Sequence, residues 1–247
     1  MALRPWNQLP IRDCAEPLVS LPASLHRLEP HPYQALGAPY GPAASPYQLR
    51  QGVVERLLAA QVVLQQVHPQ WCLGIFDGWR PLAVQAFMVA HTTETLCRQQ
   101  GIDPAWPSPA LVEVQAAVGR FWAPPNADPT APPPHSTGAA VDLTLAECSG
   151  DGPPCPLGMG SEIDAIGSVS EPDHFADLAE ACTDPEQANR YRRWHDRRLA
   201  LRAAMESQGF AQHPNEWWHF SWGDQLWAWT QGAPEARYGR VDGPASP

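Results

Sequence analysis

Apolar positions first settle into a helical rhythm after Leu49, where Val53, Val54, Leu57, Leu58, Val62 and Leu64 recur with helical spacing. His68-Pro69 ends that stretch, since proline has no N–H for the next helical bond. Trp71 to Phe76 is an apolar run closed by Asp77-Gly78, the pattern of a short buried strand leading into a turn. Pro81 suits the first position of a second helix, running to about Gln100 and stopped at Gly101. Ser108 as N-cap and Pro109 behind it predict a third helix ending near Gly119. Ala139 to Leu145 reads as a strand. Thr183 and Glu186, three apart with Pro185 between them, predict a capping box that opens a long helix to about Ser207, stopped by Gly209. An aromatic-rich strand, Glu216 to Trp222, comes last.

Between these segments the rhythm disappears, and proline (29 of 247 residues) marks where. Nine prolines fall within residues 1–48, too many for helices of useful length, which predicts an extended arm with one short strand. Residues 123–134 form a proline-rich loop, and residues 149–182 are rich in Gly, Pro and Asp, hence mostly irregular. The sequence therefore predicts one domain over 49–230, preceded by the arm 1–48 and followed by a polar tail, 231–247. No internal repeat is present. Helices and strands in this arrangement predict an α+β fold with helices flanking a central, mainly antiparallel sheet.

Composition narrows the possible functions. Apolar residues make up 44 % and charged residues 17 %, an ordinary globular balance. The formal charge of −10 argues against a nucleic-acid or anionic-membrane partner, whose affinity comes from neutralising phosphates. The chain contains no lysine, which excludes Schiff-base chemistry, a P-loop lysine and Ser–Lys hydrolysis. No apolar run approaches the ~18 residues of a membrane span. The start, MALRPWNQLP, has no apolar signal core, which gives a cytoplasmic expectation. Six scattered cysteines without a C-x-x-C pair read as free thiols. Arg190, Arg192, Arg193, Arg197, Arg198 and Arg202 form a basic run within one helix, so they face several directions and pair within the molecule. That helix is expected to pack Trp194, Leu199 and Leu201 on the core. Nothing in the sequence fixes how many copies associate.

Of nine histidines, His26, His31, His68, His91, His174, His195 and His213 read as ordinary loop or helix residues. Two others sit differently. His135 follows the proline loop and leads into the strand that holds Asp142. His219 lies in Glu216-Trp217-Trp218-His219-Phe220, an apolar stretch where an unpartnered imidazole is costly. Two imidazoles and one carboxylate match the ligand set of a catalytic zinc site, which keeps its fourth position for water. Glu216 supplies a further carboxylate able to take a proton from that water. Asp142 follows His135 by seven positions, an odd number that puts the two on opposite faces of a flat strand. The chain must therefore bend or bulge at Thr137-Gly138, and again near Pro214-Asn215 to bring Glu216 to His219. Each spacing alone also occurs by chance.

The run HSTGAAVDLTL (His135 to Leu145), together with EWWHF, resembles the D-alanyl-D-alanine dipeptidases, relatives of the zinc D,D-carboxypeptidases and of hedgehog-like peptidases. DGWRP (Asp77 to Pro81), MGSEID (Met159 to Asp164) and MESQGF (Met205 to Phe210) resemble further segments of that family in the same order. The resemblance implies a hedgehog/D,D-peptidase-like fold, one Zn²⁺ per chain held by His135, Asp142 and His219, and Glu216 as general base. It implies that Arg80 stabilises the oxyanion, with a structural pair to Asp77 or Asp142 as the other reading. Asp164 would bind the free amine of a small dipeptide; its alternative is a solvated loop carboxylate. One position departs from the pattern: Pro133 stands where the family has serine, two residues before the first histidine. Tyr33, Tyr40 or Tyr47 of the arm could add an aromatic contact. Two other activities fit the same motifs: a carboxypeptidase or endopeptidase on cell-wall peptides, and a zinc-binding homologue without catalysis.

Overall fold

The structure is a computed structural model and describes residues 4–42, 44–148 and 152–242. Its strands are β1 (Leu18–Ser20), β2 (His26–Arg27), β3 (Gln48–Arg50), β4 (Trp71–Asp77), β5 (Ala140–Glu147), β6 (Cys155–Pro156), β7 (Ala211–Gln212) and β8 (His219–Ser221). The helices are α1 (Pro32–Ala35), α2 (Gln51–Val67), α3 (Leu82–Gln100), α4 (Pro109–Phe121), α5 (His174–Ala181), α6 (Pro185–Glu206) and α7 (Gln225–Gln231). One sheet runs β2-β4-β5-β8-β7, with β6 also on β5, and a separate ribbon joins β1 to β3. The sheet is mixed: β2 lies parallel to β4, and the other ladders are antiparallel.

Strand periodicity divides β5 between two environments. Val141, Leu143 and Leu145 join Leu73 and Ile75 of β4 in the main core, under Val53, Leu57 and Leu64 of α2 and Leu201 and Met205 of α6. Asp142 lies between Val141 and Leu143 and so points to the opposite face. A register shift between Ile75 and Asp77 inserts one extra residue, so that Asp77 pairs with Asp142 and not with a core position. On that second side, Val84 and Met88 of α3 pack with Leu111, Val114 and Val118 of α4 and with Tyr33 and Trp122.

Local signals account for most boundaries. The Ser108 side chain accepts from Leu111 N at 3.1 Å and caps α4, with Pro109 in its first turn. Pro81 stands at the N-cap position of α3, one place before its first residue, and makes no side-chain capping bond. The Thr183 box is not formed. Asp184 caps α6 instead, accepting from the N–H groups of Glu186 and Gln187, which leaves those first-turn donors satisfied without Thr183. The strand expected over Glu216 to Trp222 shrinks to His219–Ser221, since the chain turns at Pro214-Asn215 and again at Trp217-Trp218. The expected irregular stretch 149–182, of which 149–151 lie outside the described residues, contains α5. Phe175 and Ala179 of that helix are buried, and Phe175 packs on Trp194 of α6. Leu199 is exposed, contrary to expectation, because α6 turns Arg198 and Leu201 inward instead.

The arm holds a 3₁₀ turn (Pro5–Gln8), two strands, the helical turn α1 and the start of β3, where one strand was expected. In the tail Ala236 and Tyr238 are fully buried; 243–247 lie outside the described residues. All six cysteines are free thiols, and Cys72 Sγ lies 2.9 Å from Cys148 Sγ. Four of the basic-run arginines bond within the chain: Arg192 to Asn189, Arg197 to Gly158 O, Arg198 to Met159 O and Arg202 to Asp173. Among the described residues no helix is long and apolar enough to cross a membrane.

Gly138 is the hinge between the proline loop and β5. Its φ is +71°, and a Cβ there would run into Leu18 Cδ2. Gly138→Ala is therefore expected to lose at least ~1–2 kcal/mol of stability, the cost of a left-handed alanine alone. Urea unfolding should show this as a lower midpoint at unchanged slope.

Candidate active site

Three elements bring the expected metal donors together. Pro134 starts a 3₁₀ turn, Pro134–Thr137, that carries His135 and ends at left-handed Gly138. This turn is the bend the seven-residue spacing requires. Asp142 and His219 are direct partners in the β5–β8 ladder, so their side chains leave the sheet on the same face. His135 Nε2 lies 3.2 Å from His219 Nδ1 and 3.2 Å from an Asp142 oxygen; His219 Nδ1 lies 3.0 Å from the other Asp142 oxygen. All three side chains are buried. The outward nitrogens are also held: His135 Nδ1–H donates to Gly78 O at 2.7 Å, and His219 Nε2 lies 3.3 Å from Ser221 Oγ. Such outer partners fix the ring so that a chosen nitrogen faces inward. Gly78 can receive His135 only as glycine, because a Cβ would sit 2.8 Å from Pro46 O.

The donor set passes a test of fit for a divalent ion. Donor atoms at 2.0–2.1 Å from a tetrahedral zinc are separated by about 3.3 Å. The inward atoms here are 3.0–3.2 Å apart. They comprise two imidazoles and one carboxylate, all within 4.8 Å of one another. The Asp142 carboxyl is held well below its ordinary range: burial opposes ionisation, and His135 and His219 beside it outweigh burial.

Glu216 lies outside the strand, in the turn after His213, with one oxygen 3.7 Å from His219 Nδ1 and the other 3.5 Å from His213 Nδ1. Burial pushes its pKa up to about 8, helped by the charge on Asp142. Asp164 occupies the same cleft at a φ of +65°, and Tyr33 Oη donates to it at 2.6 Å. Burial and then Asp142 raise its pKa to about 7. A cleft wall, and not a solvated loop, is its setting. Both acids sit where burial favours the uncharged form, so a cation entering the cleft would be stabilised by their ionisation.

Arg80 forms both pairs considered from sequence and also lines the cleft. Its Nε and Nη2 donate to one Asp77 oxygen at 3.0 and 2.7 Å, Nη2 reaches Asp142 at 3.4 Å, and Nη1 donates to Gln85 at 2.9 Å. The guanidinium lies 5.1 Å from the Tyr33 ring centre and 5.0 Å from that of Trp122. Asp77 is anchored in turn by Tyr40 Oη at 3.0 Å and His31 Nε2 at 3.1 Å. Two of the three arm tyrosines thus reach this network.

Sequence reasoning missed four contributors, His31, His213, Arg4 and Trp6. His31 and His213 look like loop histidines. His213 is buried against Glu216, and burial holds its pKa well below the ordinary value. Its position three residues before Glu216, beside the E-x-x-H run, was the available signal. Arg4 and Trp6 of the arm line the cleft more than a hundred residues before His135, Asp142, Asp164, Glu216 and His219, and no local pattern marks them.

Comparison with known proteins adds a separate line. A vancomycin-resistance D,D-pentapeptidase, VanY, solved as a point mutant in complex with Zn(II), aligns over 92 % of this chain and 95 % of its own, at 15 % identity and a TM-score of 0.40. A D-alanyl-D-alanine dipeptidase of Synechocystis sp. is 42 % identical over 248 residues, covering 97 % of this chain and 98 % of that protein. The Peptidase_M15 family profile, described as D-Ala-D-Ala dipeptidase, matches residues 26–236. A match of that extent, joined to identity along nearly the whole of both chains, means that this chain belongs to the Peptidase_M15 family of D-Ala-D-Ala dipeptidases and is a zinc metallopeptidase.

Proposed function

We propose that the chain holds one zinc ion through His135 Nε2, His219 Nδ1 and the Asp142 carboxylate, and hydrolyses the free dipeptide D-alanyl-D-alanine in this cleft. One observation carries the reading: three buried donors face one another at 3.0–3.2 Å with the Glu216 carboxylate beside them. When bound, the ion supplies Lewis acidity, polarising the scissile carbonyl and raising the acidity of a nearby water. Glu216 is the general base, taking a proton from the attacking water and passing it to the leaving amine. Its raised pKa suits the second half of that task, because burial stabilises the proton-bearing form.

Arg80, fixed by Asp77, places a permanent cation beside the donors, where negative charge develops on the carbonyl oxygen. Asp164, with Tyr33 Oη donating to it, meets the substrate ammonium. That assignment favours a free dipeptide over a longer wall peptide, whose amine is acylated. Zinc-loaded protein is expected to release D-alanine from D-Ala-D-Ala and to leave both L-Ala-L-Ala and N-acetyl-D-Ala-D-Ala nearly untouched. A coupled D-amino-acid oxidase assay reads the D-Ala-D-Ala and N-acetyl arms, and chromatographic quantification of free alanine reads the L-Ala-L-Ala arm. Efficient cleavage of the acetylated compound would point to a carboxypeptidase, and no cleavage of any peptide to a silent binder.

A further inference from the structure

The arm supplies one wall of the cleft, and the chemistry of the substrate assigns that wall a task. A free dipeptide carries a carboxylate as well as an ammonium, and the carboxylate belongs to the leaving residue. Its position is one carbon from the amine that Glu216 protonates, so a subsite for it must lie next to Glu216. The proline stretch of the lining offers nothing suitable: Pro132, Pro133 and Pro134 have no backbone N–H. The side-chain amides in the cleft are committed, Gln85 to Ala123 O, Asn126 to Ala131 O and Asn7 to Gln225. Arg80 has every nitrogen engaged with Asp77, Gln85 or Asp142.

Arg4 is the other arginine lining the cleft. Only its Nη2 is used, donating to Gly119 O at 2.7 Å and Arg120 O at 3.0 Å; among the described residues no acceptor meets its Nε or Nη1. The segment that carries it is fixed. Arg4 N–H donates to Asn7 Oδ1 at 2.9 Å, and Asn7 donates to Gln225 at 3.3 Å. Trp6 is buried, with its ring edge-on to His213 at 5.7 Å and tilted against Trp229 at 5.7 Å. His213 in turn borders Glu216. The charge of Glu216 acts on Arg4, which places the two within electrostatic reach.

Resting on the dipeptidase reading, we propose that Arg4 binds the C-terminal carboxylate of the dipeptide through its unused guanidinium N–H groups, making the arm part of the substrate site. Arginine suits the role because its planar donors match a carboxylate in two-point contact. The test compares D-Ala-D-Ala with its C-terminal amide, D-Ala-D-alaninamide, on zinc-loaded wild type, Arg4→Gln and Arg4→Lys. The ratio of kcat/KM for acid over amide should fall by about tenfold or more in Arg4→Gln, through KM for the acid, and recover partly in Arg4→Lys. An equal loss on acid and amide would make Arg4 merely structural and overturn the proposal, as would an unchanged ratio in both variants. If wild type cleaves neither compound, the dipeptidase reading itself fails and the carboxylate subsite falls with it. Acid cleavage by wild type with an unmoved ratio sinks the subsite alone.

Discussion

Glu216→Gln should lower kcat on D-Ala-D-Ala by about 10³, within the 10²–10⁴ range of general acid–base catalysis, and leave zinc at one ion per chain. Glutamine keeps the size and shape of the side chain but neither accepts nor returns the proton. The donors are untouched, since Glu216 lies 3.7 Å from His219 Nδ1 while Asp142 makes the 3.0 Å contact. Folding should not suffer either. Burial raises the Glu216 pKa from 4.5 to about 8, so the folded chain binds the proton more tightly than the unfolded one. Stability from this group is present at low pH and declines as pH rises from 4.5 to about 8. Glutamine has no such decline, so the metal-free variant should melt no lower than metal-free wild type at pH 7. Metal analysis and steady-state assay of one preparation decide the matter. A variant with full zinc and activity within a few-fold of wild type would remove Glu216 from the chemistry.

The parts of this site that could be read from sequence share one property: their signals are local. The Ser108-Pro109 cap, the apolar run before Asp77-Gly78 and the stop at Gly101 each act within a few residues, and each marks a boundary close to the one observed. His219 stood out because a polar group in apolar surroundings needs a partner, and His135, Asp142 and Glu216 because with it they complete the ligands and base of a zinc site within two short runs that resemble the family's. Spacing also announced the need for a bend, and the Pro134–Thr137 turn with Gly138 supplies it. Asp184 displaced Thr183 as cap because adjacent good capping residues compete, and geometry chooses between them.

What stayed hidden depends on long-range pairing. Arg4 meets Gly119 across 115 positions, and Asn7 meets Gln225 across 218. Neither contact leaves a periodic trace in a segment of prolines and polar residues. The bulge that turns Asp77 toward Asp142 is likewise a product of pairing with β5, since the sequence reads as a strand from Trp71 to Phe76 with Asp77 in the turn that closes it. The short β8 has the same origin. Its aromatic neighbours Trp217 and Trp218 suggest a longer strand, but Trp217 N–H donates to Ser170 O and leaves the ladder.

His135→Ala carries the other large expected effect: zinc content falls from one ion per chain to near zero after dialysis, and turnover falls below detection. Outer partners of metal ligands cost 10–100-fold in affinity when removed, and loss of a direct donor exceeds that. Asp142 and His219 remain, but two donors do not make the three-ligand set of a catalytic zinc site. Metal loss can be separated from unfolding by thermal melting. For wild type, zinc at 1,000 times its Kd should add about 4 kcal/mol, because the ion binds the folded chain. In His135→Ala that increment should vanish, while the metal-free variant stays folded with a lower Tm than metal-free wild type. The residual penalty arises because the Gly78 carbonyl loses its 2.7 Å donor in a buried setting. A strong chelator should bring wild type to the same inactive state, and added zinc should restore wild type alone. Stoichiometric zinc in the alanine variant would show that the ion sits elsewhere, and the grouping of His135 with Asp142 and His219 would then be a hydrogen-bonded cluster without a metal.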